Sequence, residues 1–387
     1  MKLVLLGNYL PDAQQSMLRF GALLQEHWSA RGAEVVTVAP QPSALTRRWS
    51  SNPRGGIAKW LGYFDKYVVF PRELSRALRA NSHGPRRIVH VVDHSNAVYV
   101  PPHDPSGPWL VTCHDLLAVR GALGEDTDCP ASLLGRQLQH AIVRGLGRAR
   151  AVVADSTSTL QDVERLVLRR NRAQSRRVIL LGLNHPYHPV SAMEARTRLG
   201  AIAGVPWHEP FLLHVGANLF RKNKAGVLRI FADVAGAWRG NLVYAGAELP
   251  ADVRTQAAAL GLTQRVFAAA KLTNPQLEAA YSIAHAVIFP STCEGFGWPV
   301  IEAQACGCPV VCSDRTSLPE VGGRAALVHA LDDDAGMAAS VRRLLEPGFR
   351  ADVVARGFRN LDRFGTDRMI DAYGEVYEEL LAVSAPR

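Results

Sequence analysis

The chain has 387 residues, of which 48% are hydrophobic and 20% are charged, and it carries a formal net charge of +9 at pH 7. This length predicts two domains, and the composition is that of an ordinary globular protein. No apolar run approaches the ~20 residues that span a bilayer, and the apolar run at the start is too short for a signal peptide, so we expect a cytoplasmic protein.

The positive charge is concentrated in the first half of the sequence. Residues 1–190 contain 24 Lys and Arg against 14 Asp and Glu, whereas residues 191–387 contain 20 against 21. Such a charge distribution favours an anionic partner: a membrane surface, a lipid pyrophosphate, an acidic glycan or nucleic acid. General solubility explains it equally well. Because few aromatic residues interleave with the basic run at 165–177, we expect no nucleic-acid partner.

The six cysteines do not form a disulfide framework in a chain of this length. Four of them fall within residues 293–312, and the spacing Cys306-x-Cys308-x3-Cys312 does not match a zinc site. We expect small buried side chains there and no bound metal.

The first half alternates buried strands and amphipathic helices, which predicts a parallel sheet. The predicted strands are 2–6, 34–39, 87–92, 109–113, 151–154 and 178–181, and the predicted helices are 16–30, 133–146 and one that begins near Thr159 after a capping run at 155–158. Residues 41–80 are basic and rich in aromatic residues. As a helix this segment either lies on a membrane interface or packs as a core helix or acceptor lid, and we favour the second interpretation.

Polar residues follow three of these strands. The candidates for a ligand site are Asn8 and Arg19 in and after the first loop, Asp93 after the third strand, and His114 with Asp115 after the fourth. Ligands of doubly wound sheets bind at the carboxyl ends of strands, so these side chains are expected to face a ligand.

The second half repeats the pattern from residue 211, with strands predicted at 211–215, 241–245, 266–269, 286–289 and 309–312. The loop after the first of them reads GANLFRKNKAG. Gly216 allows a tight turn, and Arg221 with Lys222 brings positive charge before a helix, which predicts a phosphate site. Asn274 and Pro275 are expected to cap and begin a further helix.

The most informative stretch, residues 289–311, reads FPSTCEGFGWPVIEAQACGCPVV. It predicts strand, loop, helix and strand, with Pro299 as the first helical residue and Gly307 at the helix end. Glu294 lies in the loop, and Glu302 lies in the first turns of the helix. A helix start suits a diphosphate, and carboxylates suit vicinal sugar hydroxyls, so these residues predict a sugar-nucleotide site.

This stretch, together with SLPEV at 317–321, resembles the signature of the retaining glycosyltransferases of family 4. The resemblance implies a GT-B fold, in which two Rossmann-like doubly wound domains face a cleft. Residues 1–185 would form an acceptor-binding domain and residues 186–365 a nucleotide-sugar-binding domain, with a helix at 366–387 crossing back to the first. The chain departs from the family in lacking a glycine pair in the first loop, and in having His185 after Asn184 where Asn-Gly is common.

The resemblance also implies roles for individual residues. Glu294 would hold the donor hexose, with His114 near the sugar. Glu302 would hold the ribose, and backbone groups at Lys271 and Leu272 would hold the base. The remaining donor-binding residues would be Gly216, Arg221, Lys222, Phe296, Gly297 and Val300.

The implied activity is transfer of a hexose from a UDP- or GDP-sugar to a glycan or lipid-linked glycan, with retention at the sugar carbon and front-face attack. No Asp-x-Asp follows a suitable strand, since the aspartates at 332–334 are expected to cap a helix. We therefore expect neither a metal nor a cofactor. A sugar-nucleotide epimerase or hydrolase on the same fold, and a non-catalytic glycan-assembly protein, are the alternatives.

Overall fold

The computed structural model describes residues 1–49, 56–80, 87–102, 108–170 and 174–383. It contains two compact units. The first comprises Met1–Ile179 and Asp367–Arg387, and the second comprises Leu180–Thr366. Among the described helices, none is both long and apolar enough to cross a membrane.

The first unit is built on a six-stranded parallel sheet with the order β2-β1-β3-β4-β5-β6. Its strands are β1 (Lys2–Leu6), β2 (Glu34–Val38), β3 (Arg87–Val91), β4 (Trp109–Cys113), β5 (Ala151–Ala154) and β6 (Ser175–Val178). The side chains of β1, β4 and β5 are buried along their whole length. Burial on both faces is what a parallel sheet covered by helices requires.

Helices connect these strands. They are α1 (Gln15–Ala30), α2 (Ala44–Trp49), α3 (Gly56–Phe64), α4 (Phe70–Ala80), α5 (Leu117–Ala122), α6 (Leu133–Arg148) and α7 (Thr157–Leu166). A π-helical turn, Asp65–Val69, joins α3 to α4, so residues 56–80 form one continuous helix. The core between sheet and helices includes Val89, Val111, Leu146 and Val152.

The second unit repeats the architecture with the strand order β12-β11-β10-β7-β8-β9. Its strands are β7 (Phe211–Val215), β8 (Asn241–Ala245), β9 (Val266–Ala269), β10 (Ala286–Phe289), β11 (Val310–Ser313) and β12 (Leu327–His329). Its helices are α8 (Ala192–Leu199), α9 (Lys224–Ala235), α10 (Ala251–Ala259), α11 (Asn274–Ile283), α12 (Trp298–Ala305), α13 (Leu318–Gly322), α14 (Asp334–Arg343) and α15 (Pro347–Asn360).

The last helix, α16 (Thr366–Val383), completes the core of the first unit. The Tyr377 hydroxyl lies 2.8 Å from Nδ1 of His90, and Nε2 of His90 lies 2.8 Å from Oγ1 of Thr112. The Tyr373 hydroxyl lies 2.9 Å from the same Oγ1. These four side chains are buried, and burial lowers the pKa of His90 to about 3, so its ring is neutral.

The structure corrects three sequence predictions. The strand expected at 178–181 is misplaced in the sequence. The observed strand, β6, covers Ser175–Val178, a basic stretch of only partly buried residues. The helix expected to begin at Pro299 begins at Trp298. Thr273, not Asn274, caps α11, through a capping box with Gln276. Residues 50–55 of the predicted 41–80 segment lie outside the described residues.

Candidate functional site

In each sheet the strand order reverses at one point, and the predicted site residues gather there. In the first unit the reversal lies between β1 and β3, and in the second it lies between β7 and β10. From the reversal point, β1 and β3 lead to neighbours in opposite directions, and so do β7 and β10, so right-handed connections leave the two strands towards opposite faces of the sheet. This opens a crevice at the strand ends, where ligands of doubly wound sheets bind.

A buried ion pair occupies the reversal point of the second unit. Nζ of Lys222, in the loop after β7, lies 2.6 Å from Oε1 of Glu294, in the loop after β10. Both residues are buried, with 11% of the Lys222 side chain and 8% of the Glu294 side chain exposed. The sequence predicted both residues as ligand contacts, and the structure places the cation and the carboxylate against each other.

The Lys222 side chain is held by its own loop. A Cβ on Gly216 would come within 3.1 Å of the Lys222 stem, so glycine makes room for the lysine. The ammonium also lies 4.8 Å from the Phe289 ring centroid, a favourable cation–π distance. Asn223, in the left-handed conformation, caps α9 and donates to the Pro290 carbonyl at 3.1 Å. The loops after β7 and β10 are thereby joined.

Two hydroxyl side chains fix the backbone around Glu294. The Thr316 hydroxyl accepts from the Glu294 amide at 2.9 Å and donates to its carbonyl at 2.8 Å. The buried Ser317 hydroxyl lies within 3.0 Å of that carbonyl and 2.8 Å of the Phe296 carbonyl. Ser317 is the first residue of the SLPEV run, and its hydrogen bonds hold the loop that carries Glu294 in place.

Lys224 is a buried cation that the sequence analysis did not single out. It begins α9, and its Nζ donates to Oδ1 of Asn218 in the same loop at 2.6 Å. Burial lowers its pKa to about 8. The sequence placed Lys224 in the predicted phosphate loop, but only its burial distinguishes it from a surface lysine.

Glu302 is buried on α12, and both of its carboxylate oxygens accept hydrogen bonds. Nδ2 of Asn184 donates to Oε1 at 3.2 Å, and the Tyr281 hydroxyl donates to Oε2 at 2.9 Å. Two carboxylate oxygens have about four lone-pair sites, so these partners orient Glu302 without exhausting its capacity to accept. Neither partner was predicted from the sequence.

The start of α12 is shaped by a glycine in the left-handed conformation. Gly297 is its N-cap with φ of 100°, a left-handed conformation in which a Cβ would meet Leu318 at 2.9 Å. The Val300 amide donates to the Gly297 carbonyl at 3.0 Å, so this N–H is used within the turn. The Phe296 ring is buried against Trp298 and Phe364.

The predicted base-binding turn follows β9. Lys271 is exposed with φ of 58°, and Leu272 is half-buried. This turn comes directly before the Thr273 cap of α11. The turn therefore leads straight into a helix start that is closed by a capping box.

The first unit holds a buried polar network at its own reversal point. Nδ2 of Asn8 donates to Oδ2 of Asp93, and Nδ2 of Asn96 donates to Oδ1 of Asn8 at 3.1 Å. Asp93 also caps the short helix His94–Tyr99 by accepting from the Ser95 amide. Two predicted residues, Asn8 and Asp93, are therefore brought together by the ends of β1 and β3.

His114 pairs with Asp155, a contact that the sequence did not reveal. Nδ1 of His114 lies 3.2 Å from Oδ2 of Asp155, and Nε2 lies 2.9 Å from the Val92 carbonyl. Both ring nitrogens face acceptors, which favours the doubly protonated ring. Burial alone would lower the pKa of His114, but the Asp155 carboxylate outweighs it and raises the pKa. Ser156, within the predicted capping run at 155–158, caps α7, and the helix begins at Thr157, two residues before the predicted start.

The other two predicted residues of the first unit have simpler surroundings. The Asp115 carboxylate accepts from the Leu117 amide at 3.1 Å at the start of α5. Arg19 lies half-buried on α1, and within the described part of the chain its guanidinium makes no hydrogen bond or ion pair.

A small basic cavity of about 160 Å³ lies elsewhere in the first unit. Its walls come from the loop after β1 and from α2 and α3. They include the cations Arg47, Lys59 and Lys66 and the rings of Tyr9 and Tyr63. The Lys66 ammonium lies 5.1 Å from the Tyr63 ring centroid and 2.8 Å from the Asp12 carboxylate.

Three of the four cysteines near α12 lie in the core of the second unit. Cys306, Cys308 and Cys312 are buried, as expected, whereas Cys293 is only partly buried, so the expectation is wrong for that residue. Among the described residues, no three His, Cys, Asp or Glu side chains cluster as a metal site would require. Asp333 caps α14 by accepting from the Gly336 amide, as the acidic run predicted.

Two Rossmann-like units, each a parallel six-stranded sheet flanked by helices, define the class of this protein as the GT-B fold. Sucrose-phosphate synthase from Thermosynechococcus elongatus has a similar structure, with a TM-score of 0.73 at 20% identity over 99% of each chain. Residues 198–356 match the sequence profile of the family described as glycosyl transferases group 1. This segment, in the second unit, is therefore similar to the group 1 glycosyltransferases.

Two curated relatives match parts of the chain. O-antigen chain mannosyltransferase B of Escherichia coli is 43% identical over 98 residues, which are 24% of this chain and 26% of that protein. D-inositol 3-phosphate glycosyltransferase of Acidothermus cellulolyticus is 29% identical over 293 residues, which are 71% of this chain and 62% of that protein. The matches thus span less than two thirds of either relative.

Proposed function

We propose that this chain is a retaining glycosyltransferase that moves a hexose from a nucleotide-diphosphate sugar to a glycan or lipid-linked glycan acceptor. The observation that carries the proposal is the buried Lys222–Glu294 pair at the reversal point of the second sheet. The bond broken in such a reaction joins a sugar carbon to a diphosphate oxygen. A cation for the diphosphate and a carboxylate for the sugar must therefore lie side by side.

In the proposed mechanism, the two charges act on opposite sides of the breaking bond. Negative charge grows on the leaving diphosphate, where Lys222, with Arg221 beside it, stabilises it. Positive charge grows on the sugar ring, where the Glu294 carboxylate is close enough to compensate. The departing phosphate helps to deprotonate the acceptor on the same face, which retains the configuration. In this scheme the diphosphate takes over Lys222 from Glu294 on binding, which frees the carboxylate for sugar hydroxyls.

Glu302 has a different part in the proposal. Because Tyr281 and Asn184 hold its carboxylate in place, it can accept from ribose hydroxyls with little rearrangement. The E. coli relative is a mannosyltransferase by name, which supports a mannose-like hexose as donor. The experiment below distinguishes UDP from GDP as the nucleotide of the donor.

The test is a thermal-shift panel of UDP- and GDP-sugars, followed by assays of nucleotide release with and without glycan acceptors. A donor at about 100 times its Kd adds ~2.7 kcal/mol to the free energy of unfolding. Release that requires the acceptor supports a transferase. Acceptor-independent release supports a hydrolase, and binding without turnover supports a non-catalytic protein. We expect activity to persist in EDTA because the phosphate contacts are cationic side chains, and its complete loss would contradict this.

We further infer that the acceptor is anionic. The basic cavity beside α2 and α3 brings Arg47, Lys59 and Lys66 around a space lined by two tyrosine rings, which suits a sugar carrying a phosphate. One relative is named for an inositol phosphate, which agrees with this chemistry. The excess of positive charge in residues 1–190 supports peripheral association with an anionic membrane at its cytoplasmic face, where the leaflet is negative.

A further inference from the structure

The continuous helix of residues 56–80 exposes a row of large apolar side chains. Trp60, Phe64 and Val68 are spaced four residues apart and are 61%, 45% and 41% exposed. Side chains at this spacing lie one above another on one helix face. Single exposed apolar residues are common, but a continuous row containing Trp and Phe marks an interaction surface.

The opposite face of this helix is firmly packed, so the row is not exposed because the helix is loose. Phe70 and Leu74 are buried in the core of the first unit. Asp65 is buried and accepts a hydrogen bond from the Tyr9 hydroxyl at 2.8 Å. The Tyr99 hydroxyl donates to the Lys66 carbonyl at 2.8 Å. The helix therefore presents the apolar row from a fixed position.

The apolar row continues directly into a row of cations. Arg72, Arg76 and Arg79 follow Val68 at helical spacing, and all three are exposed along a shallow open groove. Within the described side chains of this helix, Glu73 is the sole exposed acid. One end of the face is thus apolar and aromatic, and the other carries three guanidinium groups.

We propose that this 56–80 face is the surface that docks the protein on an anionic lipid bilayer. Trp60, Phe64 and Val68 enter the boundary between headgroups and acyl chains, and Arg72, Arg76 and Arg79 bind lipid phosphates. The occupant follows from charge complementarity: guanidinium groups pair with phosphodiesters, and an aromatic–aliphatic row beside them matches an amphipathic interfacial helix. The proposal rests on the inferred membrane association and gives it a location. It replaces the favoured core or acceptor-lid interpretation for the exposed side of this helix.

The location matters for the acceptor. Lys59 and Lys66, on the same helix, line the basic cavity. A bilayer held against the 56–80 face would therefore present lipid-linked acceptors next to a cavity suited to their phosphates.

The experiment is flotation of the full chain with vesicles of phosphatidylglycerol and phosphatidylcholine, at low and high salt. Two triple variants are compared with wild type: Trp60→Ser/Phe64→Ser/Val68→Ser and Arg72→Gln/Arg76→Gln/Arg79→Gln. The second removes three contacts worth roughly fivefold each, so partitioning should fall about 100-fold. The first should lower it at least about tenfold through lost apolar burial.

Matched controls come from exposed residues of the second unit. Met193→Ser removes an exposed apolar side chain, and Arg239→Gln/Arg324→Gln/Arg359→Gln removes the same charge. Both should float like wild type. Every variant should keep the wild-type thermal shift with donor, which shows that it is folded.

Different outcomes overturn different statements. If wild type floats only at low salt but both triple variants float equally well, the bilayer docks elsewhere and the 56–80 face is not the surface. If wild type does not float, membrane association itself is wrong. Acceptor-dependent nucleotide release would still support the transferase in either case. If the Arg239→Gln/Arg324→Gln/Arg359→Gln control also lost flotation, net charge alone would explain the effect. This result would contradict the proposal.

Discussion

At the scale of single residues, the two glutamates differ in what holds them. Glu302 is oriented by hydrogen bonds from two neutral side chains, those of Tyr281 and Asn184. Glu294 is paired with Lys222, a partner that the proposed diphosphate would take over. A ligand contact made by Glu302 is therefore the same before and during the reaction, whereas the contact of Glu294 changes as charge develops.

This difference predicts separable effects. Glu302→Ala should weaken affinity for the free nucleotide by at least roughly tenfold, because a charge-assisted hydrogen bond contributes ~1.5–3 kcal/mol. Glu294→Gln keeps an acceptor for Lys222, so nucleotide affinity should stay near wild type while kcat falls by a similar factor. Nucleotide titration and steady-state kinetics measure both, with the exposed Asp252→Ala as control. Equal loss of nucleotide affinity in the two variants would contradict the division of roles.

Lys224 predicts a pH dependence. Its pKa is lowered by burial from 10.5 to about 8, so the unfolded chain binds more protons between these values and this group makes stability rise with pH there. A bound diphosphate favours the charged ammonium. Nucleotide affinity should therefore fall as pH rises through about 8, with proton uptake on binding.

Calorimetric titration in buffers of different ionisation enthalpy measures that uptake. Lys224→Met should bind more weakly with no inflection near pH 8, and Lys224→Arg should keep the affinity and lose the inflection. An inflection of unchanged position in both variants would assign it to another group.

At the scale of elements, α16 packs against the sheet of the first unit, where its tyrosines form hydrogen bonds with buried residues of β3 and β4. The hydrogen-bonded chain Tyr373–Thr112–His90–Tyr377 is fully buried. Tyr377→Phe would leave Nδ1 of His90 without its partner in an apolar surrounding. We expect a loss of about 1–3 kcal/mol in the free energy of unfolding by urea. Tyr99→Phe, at a half-buried hydroxyl, should cost less, and equal losses would show that burial of the network is unimportant.

At the scale of the whole molecule, the sequence predicted most strands of both sheets because their residues are apolar on both faces. The strands with the predicted bounds are β1, β4, β5, β7, β8, β9 and β10. β6 was misplaced because it is an edge strand, where SRRV needs no apolar run.

The candidate site was predicted in part. Motif residues such as Lys222 and Glu294 were recognisable, and the switch-point rule explains why they meet. The partners that orient the site were not, because Tyr281, Asn184 and Asp155 lie far in sequence from the residues they contact. The burial of Lys224 likewise depends on the packing of Tyr244, whose hydroxyl donates to the Lys224 carbonyl.

Because α16 belongs to the first unit but follows the second unit in the sequence, the first unit is completed last during translation. The first unit begins the chain, yet its final helix is translated after all of residues 180–366. At ~5–20 residues per second, the nascent first unit waits roughly 10–40 s with the surface for Tyr373 and Tyr377 uncovered. The second unit, made from one uninterrupted stretch, can fold during that wait. We therefore expect the core of the first unit to close last, when Tyr373 and Tyr377 of α16 have been made.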